Sequence, residues 1–183
     1  MSSLRKSILA LTLSLPLLFC PGFAADWKDT LAAELPLLGH RNWIVVVDSA
    51  YPLQTSPGIE TIETGASQTE VVRAVLDALQ KTKHVRPVIY TDEELKSVPE
   101  KDAPGIQAYR EELTKTLGDL PVTSLLHEQI IAKLDEAGRT FHILVLKTNL
   151  TLPYTSVFFQ LQCGYWTAEA EANLRNIIQK SAH

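Results

Sequence analysis

The stretch Leu38-Gly39-His40-Arg41-Asn42-Trp43-Ile44-Val45-Val46-Val47-Asp48 decides the fold. Its centre, Trp43–Val47, is apolar at every position instead of every second one. Four β-branched residues in a row favour an extended chain, and unbroken apolarity suits a strand covered on both faces. Such a strand needs a helical layer on each side, which makes the parallel α/β class the expectation. The run ends at Asp48, and residues 49–58 read as a loop marked by Pro52 and Pro57-Gly58.

The flanking sequence fits that class. Upstream, Asp26–Leu38 reads as a helix: Asp26 can cap it, Leu31, Leu35 and Leu38 share a face, and Gly39 stands in the C-cap position. Downstream, a short strand at Ile59–Ile62 precedes Ser67 and Glu70, whose spacing is that of a capping box. The helix they open carries Val71, Val72, Val75, Leu76 and Leu79. A strand at Val85–Tyr90 contains Pro87, which such a strand tolerates only beside an edge or a bulge. Pro104 opens a helix with Ile106, Tyr109 and Leu113 on one face, closed by Gly118. A short strand at Pro121–Ser124, a helix over Leu126–Ala137 ended by Gly138, and strands at Phe141–Leu146 and Val157–Leu161 follow. The last expected helix, Thr167–Gln179, turns Leu174, Ile177 and Ile178 inward. Strands alternate with helices along a single domain, so a mainly parallel sheet with helices on both faces is expected. In such sheets ligands bind beyond the carboxyl ends of the strands, where Asp48 lies.

Composition agrees. The chain has 183 residues, 45% hydrophobic and 21% charged, with formal charge −4. That excludes a disordered or collagen-like chain, and the absence of a basic excess argues against a nucleic-acid partner. The N-terminus has the layout of a secretory signal: Arg5 and Lys6, an apolar run over Ile8–Cys20, then small residues leading to Ala24. The division expected is therefore a leader over 1–24 and one domain over 25–183. Cutting after Ala24 leaves 159 residues of formal charge −6 with no membrane span, exported to a bacterial periplasm or secreted. Cys163 is then the only cysteine, a small buried hydrophobe with no disulfide partner.

Several chemistries are excluded by pattern. No glycine-rich dinucleotide or phosphate loop occurs, and no Gly-x-Ser-x-Gly elbow. His127-Glu128 begins like a zinc-protease helix, but Ile131 stands where the second histidine is required, so no metal site is expected. The remaining candidates are His40, Asp48, His127 and Tyr154. Taken singly, each has an ordinary alternative: a histidine on helix-end carbonyls, an Asx-turn aspartate, a helix-start histidine and a loop aromatic. His40 and Asp48 stand about 25 Å apart if all eight intervening steps are extended, so they need not meet within one copy.

Leu38-Gly39-His40, a strand, and Asp48-Ser49-Ala50-Tyr51-Pro52 together resemble the opening of the D-ribose pyranase and L-fucose mutarotase family. His127-Glu128-Gln129 is similar to that family's second histidine region. Pro153-Tyr154-Thr155-Ser156 before an apolar strand is similar to its Pro-Tyr-Ala-Asn. Ser156 replaces the asparagine, Arg41-Asn42 follows the Gly-His, and Lys147-Thr148-Asn149 stands for the family's Ser/Thr-Gly-Glu. The resemblance implies cofactor-free interconversion of anomers or ring forms of a monosaccharide. One group takes the anomeric proton while another protonates the ring oxygen. It implies His40 as proton donor, with Asp48, His127, Tyr154 and Ser156 as sugar contacts. It also implies a homo-oligomer with sites near subunit contacts. The alternative on the same fold is a non-catalytic sugar-binding or structural oligomer.

Overall fold

A computed structural model describes residues 26–181. The expected leader lies outside the described residues, and among these no helix is long and apolar enough to cross a membrane. Six strands form one sheet: β1 (Trp43–Val47), β2 (Ile59–Glu63), β3 (Val85–Asp92), β4 (Val122–Leu125), β5 (Ile143–Lys147) and β6 (Val157–Cys163). Their order is β2-β5-β1-β6-β3-β4. β1 pairs with β5, β2 with β5 and β3 with β4 in parallel, whereas β6 runs antiparallel to both β1 and β3. Five strands thus point one way and only β6 points back.

Trp43–Val47 is a central strand buried at all five positions. Alternation of side chains across the pleat divides its apolar run between two cores. Ile44 and Val46 pack with helices α1 (Trp27–Glu34), α2 (Gln68–Gln80) and α3 (Ile106–Leu117) on one face. Trp43, Val45 and Val47 pack on the other face with Ile130 and Leu134 of α4 (His127–Ala137). Phe158 and Phe159 of β6 repeat the division, one ring in each core.

Local signals behave as their chemistry requires. Asp26 accepts from the Lys28 amide at the start of α1, and Ser67 accepts from the Glu70 amide at the start of α2. Pro87 lies on the stretch of β3 that pairs with β6 alone, since β4 joins only from Ile89 onward. Its missing N–H therefore faces no partner strand. Four expectations are corrected. Cys163 is half-buried at the end of β6 and not a buried hydrophobe beyond it. Pro36 breaks α1 early, so the chain tightens into a 3-10 turn over Leu35–Leu37, and the Gly39 amide is held instead by the Asn42 side chain at 2.6 Å. β3 runs two residues further than expected, to Asp92. The last helix, α5 (Ala168–Ser181), buries nothing: Leu174, Ile177 and Ile178 are 40%, 61% and 54% exposed. Helical periodicity identifies its apolar face but not a surface for that face to meet.

Candidate functional site

The carboxyl ends of β1, β3, β4 and β5 and the amino end of β6 meet at one end of the sheet. Asp48 follows β1, Asp92 closes β3, His127 follows β4 as the first residue of α4, Thr148 follows β5, and Tyr154 and Ser156 precede β6. The topology therefore places four of the five expected site residues at one end. His40 sits in the turn before β1, at the other end, where the Arg41 amide donates to the Leu161 carbonyl at 2.9 Å. The five residues of β1 alone span roughly 17 Å.

The polar groups at the first end are tied together by Gln68, the buried first residue of α2. Its amide donates to the carbonyls of Val46 at 3.0 Å and Thr155 at 2.9 Å, joining the end of β1 to the approach of β6. Its carbonyl accepts from the Thr148 hydroxyl. The buried Tyr109 hydroxyl also donates to Thr155 O, at 2.6 Å, and burial raises the titration of that phenol. The Thr155 hydroxyl donates to Leu152 O at 2.9 Å. Tyr154 and Ser156 therefore flank a residue anchored from three directions. Ser156 is buried, while Tyr154 is 40% exposed and held at φ 57°. Left-handed backbone is uncommon for a bulky side chain, and such conformations concentrate at ligand sites.

His127 is bound on two sides. Its backbone amide donates to both carboxylate oxygens of Glu94 at 3.0 Å, so Glu94 supplies the cap that Leu126 cannot give α4. Its ring Nδ1 lies 3.0 Å from Asp92 Oδ1, and its ring packs edge-on against Tyr154 with centroids 5.6 Å apart. The Asp92 side chain is wholly buried. Burial pushes its titration above the usual carboxylate range despite the hydrogen bond from His127, and the nearby charges of Glu94 and Asp48 push the same way. The field extends to Tyr51, whose phenol is pushed up to about 12 by burial and then by Asp135, Asp92 and Asp48. Asp48 forms an Asx-turn, its Oδ1 accepting from the Ala50 amide at 2.8 Å. Lys147 Nζ donates to Tyr51 O at 2.8 Å. This end of the sheet thus offers a protonable ring between a buried carboxylate and a phenol ring, with hydroxyl and carboxylate groups beside it.

At the opposite end, His40 lines a groove of about 570 Å³ with Arg86, Gln162, Cys163, Tyr165 and Trp166. The Trp166 indole donates to Glu171 at 2.9 Å, and Glu171 also pairs with Arg175. Another groove, of about 800 Å³, lies beside α2 and Tyr165. Glu34, Glu60 and His142 bring one potential metal-ligating atom each to within 4.8 Å of one another, on the amino-end side of β5. His127 and Glu128 take no part in that group. Sequence reasoning missed Asp92, Gln68 and Glu94. Asp92 carries the same signal as Asp48, an acid leaving the carboxyl end of a strand, and ending β3 at Tyr90 concealed it.

No protein-family model and no curated protein matches the chain. Solved structures do. Bacillus subtilis RbsD, determined in complex with D-ribose, aligns with a TM-score of 0.52 at 18% identity, over 73% of this chain and 91% of its own. The chain has the RbsD fold. A Streptococcus pneumoniae fucose mutarotase in complex with L-fucose aligns at TM-score 0.49 and 20% identity, over 78% of this chain and 98% of its own. FucU from Bifidobacterium longum aligns at TM-score 0.47 and 17% identity, over 73% and 94%. The RbsD fold is the architecture expected from the Gly39-His40 and Asp48 stretch. The match leaves about a quarter of this chain without a counterpart in RbsD.

Proposed function

We propose that this protein interconverts the anomers or ring forms of a free monosaccharide by acid–base opening and reclosing of the hemiacetal, without a cofactor. The observation that carries this reading is the gathering of His127, Tyr154, Ser156 and Asp48 at the carboxyl ends of the strands of an RbsD fold. Ring opening needs only a group to take the anomeric proton and another to give one to the ring oxygen. Histidine titrates close to working pH and suits either task. Asp48 accepts sugar hydroxyls, and His127, Tyr154 and Ser156 contact the ring.

His40 is the proton donor in this reading, and it serves the site of a neighbouring copy, because one copy holds it at the far end of β1. The assembly is a homo-oligomer larger than a dimer, and the protein acts after export with residues 1–24 removed. A non-catalytic sugar-binding or structural oligomer is the competing reading.

Saturation-transfer NMR of anomeric protons across a panel of monosaccharides tests the two readings. Exchange faster than buffer for at least one sugar supports turnover; binding without exchange supports the competing reading; neither effect across the panel overturns sugar chemistry altogether. In an active protein, His40→Asn should slow exchange about a hundredfold to ten-thousandfold while binding persists. Asp48→Asn should weaken binding instead.

A further inference from the structure

We propose that Asp92 is the positioning residue of the site: its buried carboxylate holds the His127 ring in the Nδ1–H form and leaves Nε2 as the nitrogen that takes the anomeric proton. The inference rests on the proposed sugar reading for its chemistry, but its geometry stands alone. Three contacts fix His127: Glu94 on its backbone amide, Asp92 on Nδ1 at 3.0 Å, and the edge of Tyr154 on its ring. Above its raised titration Asp92 is ionised and can only accept, so there the hydrogen in the Asp92–His127 bond belongs to Nδ1. Nε2 lies on the other edge of a ring that is 34% exposed, and among the described residues it makes no hydrogen bond. A histidine side chain free in water favours the Nε2–H form, so an Nδ1–H ring is one that the bond to Asp92 selects.

The charges around the pair give it a direction. Among the described residues His127 is the only partner within ion-pair distance of Asp92, charged only when its ring is protonated, and Asp92 Oδ2 has no protein partner. The other titratable groups near it are the acids Glu94 and Asp48 and the phenols of Tyr51 and Tyr109, together with Lys96 and Arg110, which line the same groove but are engaged by Glu93 and by the carbonyls of Leu95, Lys96 and Val98. Tyr154 packs on the ring of His127, and Glu128 follows it on α4. An imidazolium formed on His127 therefore meets a buried carboxylate that no other described side chain reaches within ion-pair distance.

The step balances. The anomeric O–H bond breaks and its proton joins Nε2. The O–H electron pair forms the C=O bond, and the bond from C1 to the ring oxygen breaks with its pair going to that oxygen. The ring oxygen takes the proton of the opposing acid, His40 in the proposed reading. Reclosure on either face of the aldehyde returns both protons.

Nitrogen-15 NMR of the full chain without sugar reads the tautomer of His127, and anomeric-proton exchange reads the rate. The wild type should show neutral His127 as the Nδ1–H form. Asp92→Ala removes the acceptor, and Asp92→Asn keeps the shape while offering either oxygen or NH2 to the ring. Both should restore a majority or mixture of Nε2–H and slow exchange on the order of a hundredfold. Wild-type His127 in the Nε2–H form overturns the inference, as do variants that lose the Nδ1–H form and keep the wild-type rate. A wild type that holds the Nδ1–H form yet exchanges no sugar overturns the proposed function, and with it the role of Nε2, but leaves the positioning of the ring established.

Discussion

Asp92 is costly where it stands. Its side chain has no exposure and its folded titration lies above the usual value of 3.8. Between those two values the folded protein holds a proton that the unfolded chain has released, so stability falls as pH rises through that window. Asp92→Asn removes the titrating group. The variant should lose this downward slope and match or exceed wild-type stability at neutral pH, as measured by denaturant midpoints from acid to neutral conditions. A variant less stable than wild type at neutral pH would show that the bond to His127 outweighs burial. Tyr154 stores strain of another kind. At φ 57° a Cβ is disfavoured by about 1 kcal/mol, so Tyr154→Gly should be more stable than Tyr154→Ala by about that amount. Equal midpoints for the two would remove the strain argument. At this scale the sequence revealed the residue types but not their company. The spacing of His40 and Asp48 was readable, whereas the Asp92–His127 pair joins residues 35 positions apart through the pairing of β3 and β4.

Among the elements, β1 was legible because its signal is redundant: an unbroken apolar run, β-branched side chains and a loop at each end. β3 was legible only to Tyr90, since Pro87 and the acidic residues after Thr91 argue against a strand, and pairing with β4 and β6 overrides them. α5 was legible as a helix and misread as a layer of the core. Because it buries no residue, removing it should leave the rest intact. A chain ending at Thr167 should keep the thermal midpoint of the full chain within a few degrees when both are dilute. By contrast, Phe159→Ala on β6 empties a fully buried site and should cost about 3–5 kcal/mol by denaturant titration. A large loss of stability on removing α5 would mean that its apolar face is covered in solution.

For the whole molecule, the sheet end that gathers Asp48, Asp92, His127 and Tyr154 and the groove that holds His40 lie on opposite sides of β1. An assembly in which each copy lends His40 to another is therefore open to a direct test. Light scattering at micromolar concentration should give a mass above that of a dimer; a monomer would leave His40 without a site to serve. The order of the strands has a consequence for how the chain is made. β2, β5 and β1 form one group and β3 with β4 another, and β6 alone joins them, as the last strand in sequence. Until residues 157–163 have emerged from the ribosome, the two groups share no edge. A nascent chain therefore cannot finish the sheet early. A chain stopped at Ser156 should stay open to protease throughout, while one stopped at Thr167 should become resistant.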